Sequence, residues 1–287
     1  RANSVVGGLC LNQLNNDFFH DYNEFNDNEF YDNDLNNPSA TNHYDHASAM
    51  MVSAVCITYG RPNLLEEAIE CFLRQTFEGE SELVVLNDLA SQELIFEHPK
   101  VTIVNSPVRF RTIGEKRNAC AALARGDVLF PWDDDDIHLP NRIQLSLDKL
   151  GSGDFFNPRK ACIWMNDGIK GPEKNGFPSI ACYTRSLFDS VRGYAHMNSG
   201  QDSELETKFK EKTNISTTEI KNSEVYYLYR WSHTGSYHLS AYGQDSKTGK
   251  NGMQICDKFL SSQKEPLSGR IELKPHWRQD YTSIMPI

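Results

Sequence analysis

"FPWDDDDIHLP", residues 130–140, sets four carboxylates side by side directly after an apolar run. Adjacent like charges repel, and neither a helix nor a strand gains from such a cluster. Most acidic runs are solvated loops, but the flanks argue for another reading here. "DVLF" (127–130) reads as the end of a buried strand. "IHLPNRIQLSLDKL" (137–150) reads as a helix with Pro140 near its first turn and Gly151 past its end. An acidic cluster at the carboxyl end of a strand, just before a helix, occupies the place where α/β proteins build ligand sites. A hard divalent cation, Mg²⁺ or Mn²⁺, prefers oxygen ligands and accounts best for carboxylates gathered there.

The pattern extends in both directions. "VSAVCIT" (52–58), "ELVVLND" (82–88) and "VTIVN" (101–105) are short apolar runs rich in β-branched residues, the mark of buried strands. "NLLEEAIECFLRQ" (63–75) places Leu65, Ala68, Ile69 and Phe72 at helical spacing after Pro62, with Glu66 and Glu67 suited to a helix N-terminus. "EKRNACAALARG" (115–126) reads as a helix ending at Gly126. Strands and helices alternating at this spacing imply an α/β fold with a mainly parallel sheet flanked by helices. The turns after the first, second and fourth strands carry Thr58–Arg61, Asn87–Asp88 and Asp133–Asp136, so these residues share one sheet edge. Further on, 166–178 reads as a Gly/Lys loop, 179–194 as a strand and helix, 199–212 as a charged helix and 224–231 as a strand. Residues 274–281, "KPHWRQDY", match no pattern.

Three segments follow from this. Residues 1–50 form an Asn/Asp-rich arm with recurring aromatics, expected to lie across the globular part or a neighbouring subunit. Residues 51–243 form the main domain, divided into halves 51–140 and 141–243, and 244–287 form a C-terminal extension. The 287 residues carry 29 Lys and Arg against 39 Asp and Glu, a net charge of −10, which disfavours non-specific nucleic-acid binding. No apolar run approaches the roughly 20 residues of a membrane span, and no leader is expected. The seven cysteines (10, 56, 71, 120, 162, 182, 256) have no paired spacing and read as reduced, mostly buried thiols of a cytoplasmic protein.

Five segments in order carry a resemblance. "VSAVCITYGRPNLLEEAIECFLRQTF", "ELVVLNDLAS", "IGEKRNACAALARGDVLF", "WDDDDIHLP" and "RGYAHMNSGQDSELETKF" are similar to the inverting, nucleotide-sugar-dependent glycosyltransferases of family 2, which have the A-type glycosyltransferase fold. The match runs from about Val52 to Lys212. Two positions depart from the family pattern: Gly60 replaces an Asn, and Gln201 replaces a Glu before Asp202.

The resemblance implies roles. Thr58, Tyr59, Arg61 and Asp88 would bind the nucleoside of the donor, with Asp88 as a base-edge acceptor that suits uracil. Arg117 would reach the diphosphate or pin the acidic loop. Counted back from Pro140, the family's D-x-D falls on Asp133 and Asp135. Asp135 is the main expected ligand of Mn²⁺ or Mg²⁺, Asp133 holds ribose hydroxyls or joins the metal, and Asp134 and Asp136 are second choices. His238, ahead of His233, is the candidate for a further metal ligand. Asp202 is the expected general base, and Trp164, Asp167 and the loop 166–178 are candidate contacts for an acceptor glycan, lipid-linked sugar or protein. A sugar-1-phosphate nucleotidyltransferase would want a Gly-rich basic loop where "TYGRPNLLEE" stands. A catalytically inactive sugar- or partner-binding domain would be favoured by loss of Asp202, which is present.

Because the first core strand starts near Val52, removal of residues 1–46 is expected to leave a single cooperative unfolding transition in urea. Loss of folded protein would show that the arm's aromatics complete the core.

Overall fold

The computed structural model describes residues 50–165, 167–174, 178–213, 219–230 and 267–287. The N-terminal arm, His233 and His238 lie outside the described residues. Strand β1 (Val52–Thr58) is buried at every position, as a central parallel strand should be. It pairs in parallel with β2 (Ser81–Asn87) on one side and β5 (Val128–Pro131) on the other. Beyond β2 lies β4 (Val101–Asn105), also parallel. Beyond β5 come β10 (Cys182–Thr184) and β7 (Phe155–Phe156), both antiparallel to their neighbours, which completes a six-stranded sheet. Strand order reverses at β1, so the carboxyl ends of β1, β2 and β5 border the switch point of the sheet.

Alternate residues of the strands feed two cores, as the period of two requires. Val52, Ala54 and Cys56 pack with Leu65, Ala68, Ile69 and Phe72 of α1 (Pro62–Leu73). Val55 and Ile57 pack with Ile113, Cys120 and Ala121 of α2 (Ile113–Leu123). Pro62 opens α1 with its φ preset and no donor to leave orphaned. Helix α2 opens with a capping box, in which Thr112 Oγ1 accepts from the Glu115 amide at 3.1 Å and Glu115 Oε2 accepts from the Thr112 amide at 3.0 Å. It ends at Leu123, short of the expected Gly126. Gly126 serves another need: a Cβ there would lie 2.5 Å from the Ser53 amide nitrogen, so glycine lets the chain enter β5 hard against β1.

Other elements differ from the sequence reading for local reasons. Ile137–His138 form a short strand, β6, paired with β11 (Tyr227–Arg230), and α3 (Arg142–Leu150) begins only after Pro140, with Asn141 at its N-cap. The expected loop 166–178 contains β9 (Gly168–Lys174), a hairpin partner of β8 (Lys160–Met165), whose glycines 168 and 171 adopt positive φ. Strands β6, β11, β8 and β9 form a second sheet. After β10 come α4 (Arg185–Ser190) and α5 (Gln201–Lys212), as expected.

The unassigned C-terminal stretch is structural. Strand β12 (Gly269–Glu272) pairs in parallel with β3 (Gln92–Ile95). Leu273, Met285 and Tyr281, which opens α6 (Tyr281–Ile284), are buried in the first core. The Trp277 indole Nε1 donates to Cys71 Sγ of α1 at 3.2 Å. The five described cysteines, 56, 71, 120, 162 and 182, are all free and buried, as read from the sequence. No helix of the described residues is long and apolar enough to cross a membrane.

Gly114, in the first turn of α2, is the tightest approach. A Cβ there would fall 1.9 Å from the Ala195 carbonyl oxygen, and the Gly114 amide donates to the Met197 carbonyl at 3.2 Å. Gly114→Ala is therefore expected to lower stability by about 1–3 kcal/mol, the usual cost of overpacking, read as a lowered urea midpoint. An unchanged midpoint would mean that the 195–198 segment does not close on α2.

Candidate active site

The acidic run resolves into two kinds of residue. Asp134 and Asp136 are 2 % and 1 % exposed, whereas the side chains of Asp133 and Asp135 keep 19 % and 14 % of their surface. Asp134 is gripped from the end of β1: Thr58 Oγ1 donates to it at 2.6 Å and Arg61 Nη2 donates to its other oxygen. Arg61 Nη1 donates to Asp135 Oδ2 at 2.8 Å, so one guanidinium spans two members of the run. Asp136 accepts from the Tyr227 hydroxyl and from the Arg230 amide at 2.7 Å. Burial, countered by Arg61, pushes the Asp134 carboxyl up to about 6. Burial, then Asp135 and Asp133, push Asp136 well above the usual carboxylate range. Burial opposes charge on Arg61 too, but Asp134 and Asp135 outweigh it and raise its pKa.

At the ends of β1 and β2, the Lys116 ammonium of α2 donates to the Thr58 carbonyl at 2.6 Å and to Asp88 Oδ1. Asp88 Oδ2 accepts from the Phe110 amide at 3.1 Å. The ring of Tyr59 lies 3.9 Å from the Arg109 guanidinium carbon, a cation–π stack. Thr58, Tyr59, Arg61 and Asp88 are thus brought to one floor, and all four are buried. Lys116 and Arg109 were not singled out in the sequence. Their only signal is a basic residue in each of "GEKRN" and "VRF", too common to read alone.

Arg117 Nη2 donates to Asp133 Oδ1 at 3.0 Å, and its guanidinium sits over the Tyr194 ring at 5.6 Å. Burial works against its charge, but Asp133, then Tyr194, then Asp202 raise its pKa. Asn118, the next residue, receives the Tyr194 amide at 2.8 Å and donates to the Tyr194 carbonyl at 2.9 Å. This two-way bond ties the R-N pair of α2 to the turn that leads into α5. Gly200, at φ 76, is the N-cap of α5, and Asp202 stands in the first turn, half-buried, accepting from the Ser203 amide at 2.8 Å.

Behind the run, Trp132 Nε1 donates to the Ala68 carbonyl at 2.9 Å. His138 is fully buried 2.5 Å from Arg142 Nη1, and burial followed by Arg142 pushes its pKa well below the usual range, so it is neutral packing and no proton carrier. Glu67, expected to favour a helix N-terminus, is instead 0 % exposed and paired with Arg230 Nη1 at 2.6 Å. Trp164 meets the Tyr281 ring edge-on at 6.3 Å, and Asp167 is an exposed partner of Lys170 at 2.8 Å. Among the described residues no three His, Cys, Asp or Glu side chains converge as a metal cage. The donor set still fits Mg²⁺ or Mn²⁺, since such an ion takes one or two carboxylates and fills the rest of its shell with phosphate oxygens and water.

The two kinds of aspartate should separate by mutation. Asp134→Ala strands the buried Arg61 charge and is expected to cost about 3–5 kcal/mol of stability. Asp133→Ala, at a largely buried pair whose side chains keep 12 % and 19 % of their surface, is expected to cost less, about 1–3 kcal/mol. Thermal unfolding of both variants checks this, and equal losses would overturn the division.

The glycosyl transferase family 2 description matches residues 53–201 of this chain. The solved structure of S. aureus TarS 1–349 in complex with UDP is 16 % identical, covers 74 % of this chain and 71 % of that one, and superposes with a TM-score of 0.51. The same protein in complex with UDP-GlcNAc is 15 % identical, with coverages of 74 % and 72 % and a TM-score of 0.52. At such identity the likeness is one of fold, and the fold is the A-type glycosyltransferase arrangement of a mainly parallel sheet with a ligand edge. With the motif segments of residues 53–201 assembled at that edge, the chain belongs to glycosyl transferase family 2 and is a glycosyltransferase.

Proposed function

We propose that the protein moves a sugar from a UDP-sugar to an acceptor hydroxyl with inversion, using Mn²⁺ or Mg²⁺ and Asp202 as general base. The observation that carries this reading is the outward placement of Asp133 and Asp135, alone in their run, at the carboxyl end of β5 beside the switch point. Asp135 and Asp133 would hold the ion, which supplies charge stabilisation to the departing diphosphate. UDP and UDP-GlcNAc, the ligands of the TarS structures, accord with a uridine donor on the floor of Thr58, Tyr59, Arg61 and Asp88. The free buried thiols accord with a reducing, cytoplasmic setting. His238 remains the proposed further ligand.

Arg117 stands between the two halves of the chemistry, bonded to Asp133 and under the influence of Asp202. In that arrangement the donor diphosphate meets the acidic run while Asp202 approaches from the α5 side. Asp202 takes the proton of the acceptor hydroxyl as its oxygen bonds to the anomeric carbon. The bond from that carbon to the diphosphate breaks, and the nucleoside diphosphate leaves with the electron pair. Gln201 cannot accept a proton at neutral pH, and Glu204, the other acid of that turn, is paired with Lys208 at 2.9 Å, which leaves Asp202 for the role.

Asp202→Asn keeps size and most hydrogen bonding but removes the proton acceptor. Transfer is expected to fall by about 10²–10⁴-fold while donor binding measured by calorimetry stays near normal. Intact transfer would place the base elsewhere, and a collapse of donor binding would assign Asp202 to the donor pocket.

A further inference from the structure

Arg230, the last residue of β11, aims three donors at two places. Its amide donates to Asp136 Oδ1 at 2.7 Å, its Nε donates to the Asp135 carbonyl, and its Nη1 donates to Glu67 Oε2 at 2.6 Å. Glu67 belongs to α1 and is itself held on its other oxygen, by the Tyr281 hydroxyl and by the Arg278 amide at 3.4 Å. Both partners of the central ion pair are out of water, Glu67 at 0 % and Arg230 at 5 % exposed. Such a pair is a weak source of net stability, but its directed bonds fix geometry. The peptide group joining Asp135 to Asp136 is pinned from both sides. Its carbonyl takes Arg230 Nε, while the Asp136 side chain takes the Arg230 amide and the Tyr227 hydroxyl. With that backbone fixed, the Asp135 carboxylate, 14 % exposed and held on Oδ2 by Arg61, is set from its root as well as from its tip.

We propose that Arg230 is a positioning residue for the divalent ion and its nucleotide, and that Glu67 and Tyr281 set Arg230, so the C-terminal segment governs the acidic site. The relay runs Tyr281, Glu67, Arg230, Asp135, and it joins parts of the chain 214 and 163 residues apart. This inference rests on the reading of Asp135 as a ligand of the ion. Arg230 itself touches backbone and buried carboxylates, so its effect on the ion passes through the Asp135–Asp136 backbone.

The test is calorimetric titration of the full chain with UDP in the presence of Mn²⁺, with urea unfolding of each variant alongside. Arg230→Lys keeps a charge near Glu67 but loses the planar fork that reaches two acceptors at once. It is expected to weaken Mn²⁺-dependent UDP binding by about 10–100-fold, the usual size of an effect passed through a ligand's supporting partner. Tyr281→Phe removes one hydroxyl from Glu67 and is expected to weaken the same binding by about tenfold or less, in a protein that still unfolds cooperatively. Because Tyr281 acts through Arg230, the double variant should bind little worse than Arg230→Lys alone. Lowered urea midpoints with unchanged Mn²⁺-dependent affinity would reduce the relay to a structural brace and overturn the proposal, as would fully additive losses. If Arg230→Lys fails to fold, Tyr281→Phe decides by itself: weaker binding supports the relay and unchanged binding overturns it. Asp135→Ala separates the two layers. Retained Mn²⁺ dependence in that variant overturns the assignment of the ion ligand, whereas its loss there, with Arg230→Lys unaffected, overturns the relay alone.

Discussion

The guanidinium of Arg61 and the carboxylate of Asp134 meet almost entirely out of water, and they join the turn after β1 to the loop after β5. Taking each charge out of water costs several kcal/mol, recovered only when the geometry and the remaining hydrogen bonds are good. Here Thr58 Oγ1 satisfies the second oxygen of Asp134, and Asp135 takes a second donor of Arg61. Strands β1 and β5 are neighbours in the sheet, so this contact closes its switch point from below. Lys116 adds a second clasp by binding the Thr58 carbonyl and Asp88, which brings the end of β2 to the same floor. Without these cations four adjacent aspartates would drive the loop away from the sheet edge.

Four carboxylates, where two would serve a ligand, divide by burial: in the turn that carries Asp134 and Asp135 between β5 and β6, two side chains of the run go inward and two keep part of their surface in solvent. The inward pair anchors the loop: Asp134 to the end of β1, Asp136 to β11. The outward pair, Asp133 and Asp135, is held by Arg117 and Arg61 through one oxygen each and keeps part of its surface in solvent. A run of identical residues hides this division from a reader of the sequence, and counting back from Pro140 names the same two residues only through the family's spacing.

Other features vary in legibility for physical reasons. Strands β1, β2, β4 and β5 and helices α1 to α3 show in the sequence because burial gathers apolar residues into short runs or sets them at helical spacing, whereas the short strands β3 and β6 leave no such mark. Gly114 and Asn118 are visible only as motif letters, since what they need is the close approach of Ala195 and Tyr194, far along the chain. Glu67 fits a helix N-terminus on sequence, yet its partner lies 163 residues away in β11, and no local pattern announces such a pair. The C-terminal stretch around Trp277 and Tyr281 is opaque for the same reason. It adds one parallel strand to β3 and a few buried side chains to an existing core, so it needs no period of its own.

Charge balance then bears on the metal. Around the floor of the site stand the carboxyl groups of Glu67, Asp88 and Asp133–Asp136, facing the cations Arg61, Lys116, Arg117 and Arg230. Fully ionised these are six acids against four bases, and because burial raises Asp134 and Asp136 the floor as a whole carries little net charge. An anionic diphosphate brought against Asp133 and Asp135 meets two carboxylates directly, and like charges at short range in a poorly solvated site repel. The basic groups cannot turn to the diphosphate without abandoning carboxylates that are buried and would then be unpaired, a loss larger than the pair is worth. A divalent ion held by Asp133 and Asp135 would supply positive charge to that encounter and would leave the internal pairs in place. The clasps that hold the acidic loop in place engage the neighbouring cations, and that is why the phosphates are proposed to meet an added cation at Asp133 and Asp135 rather than Arg61, Lys116, Arg117 or Arg230.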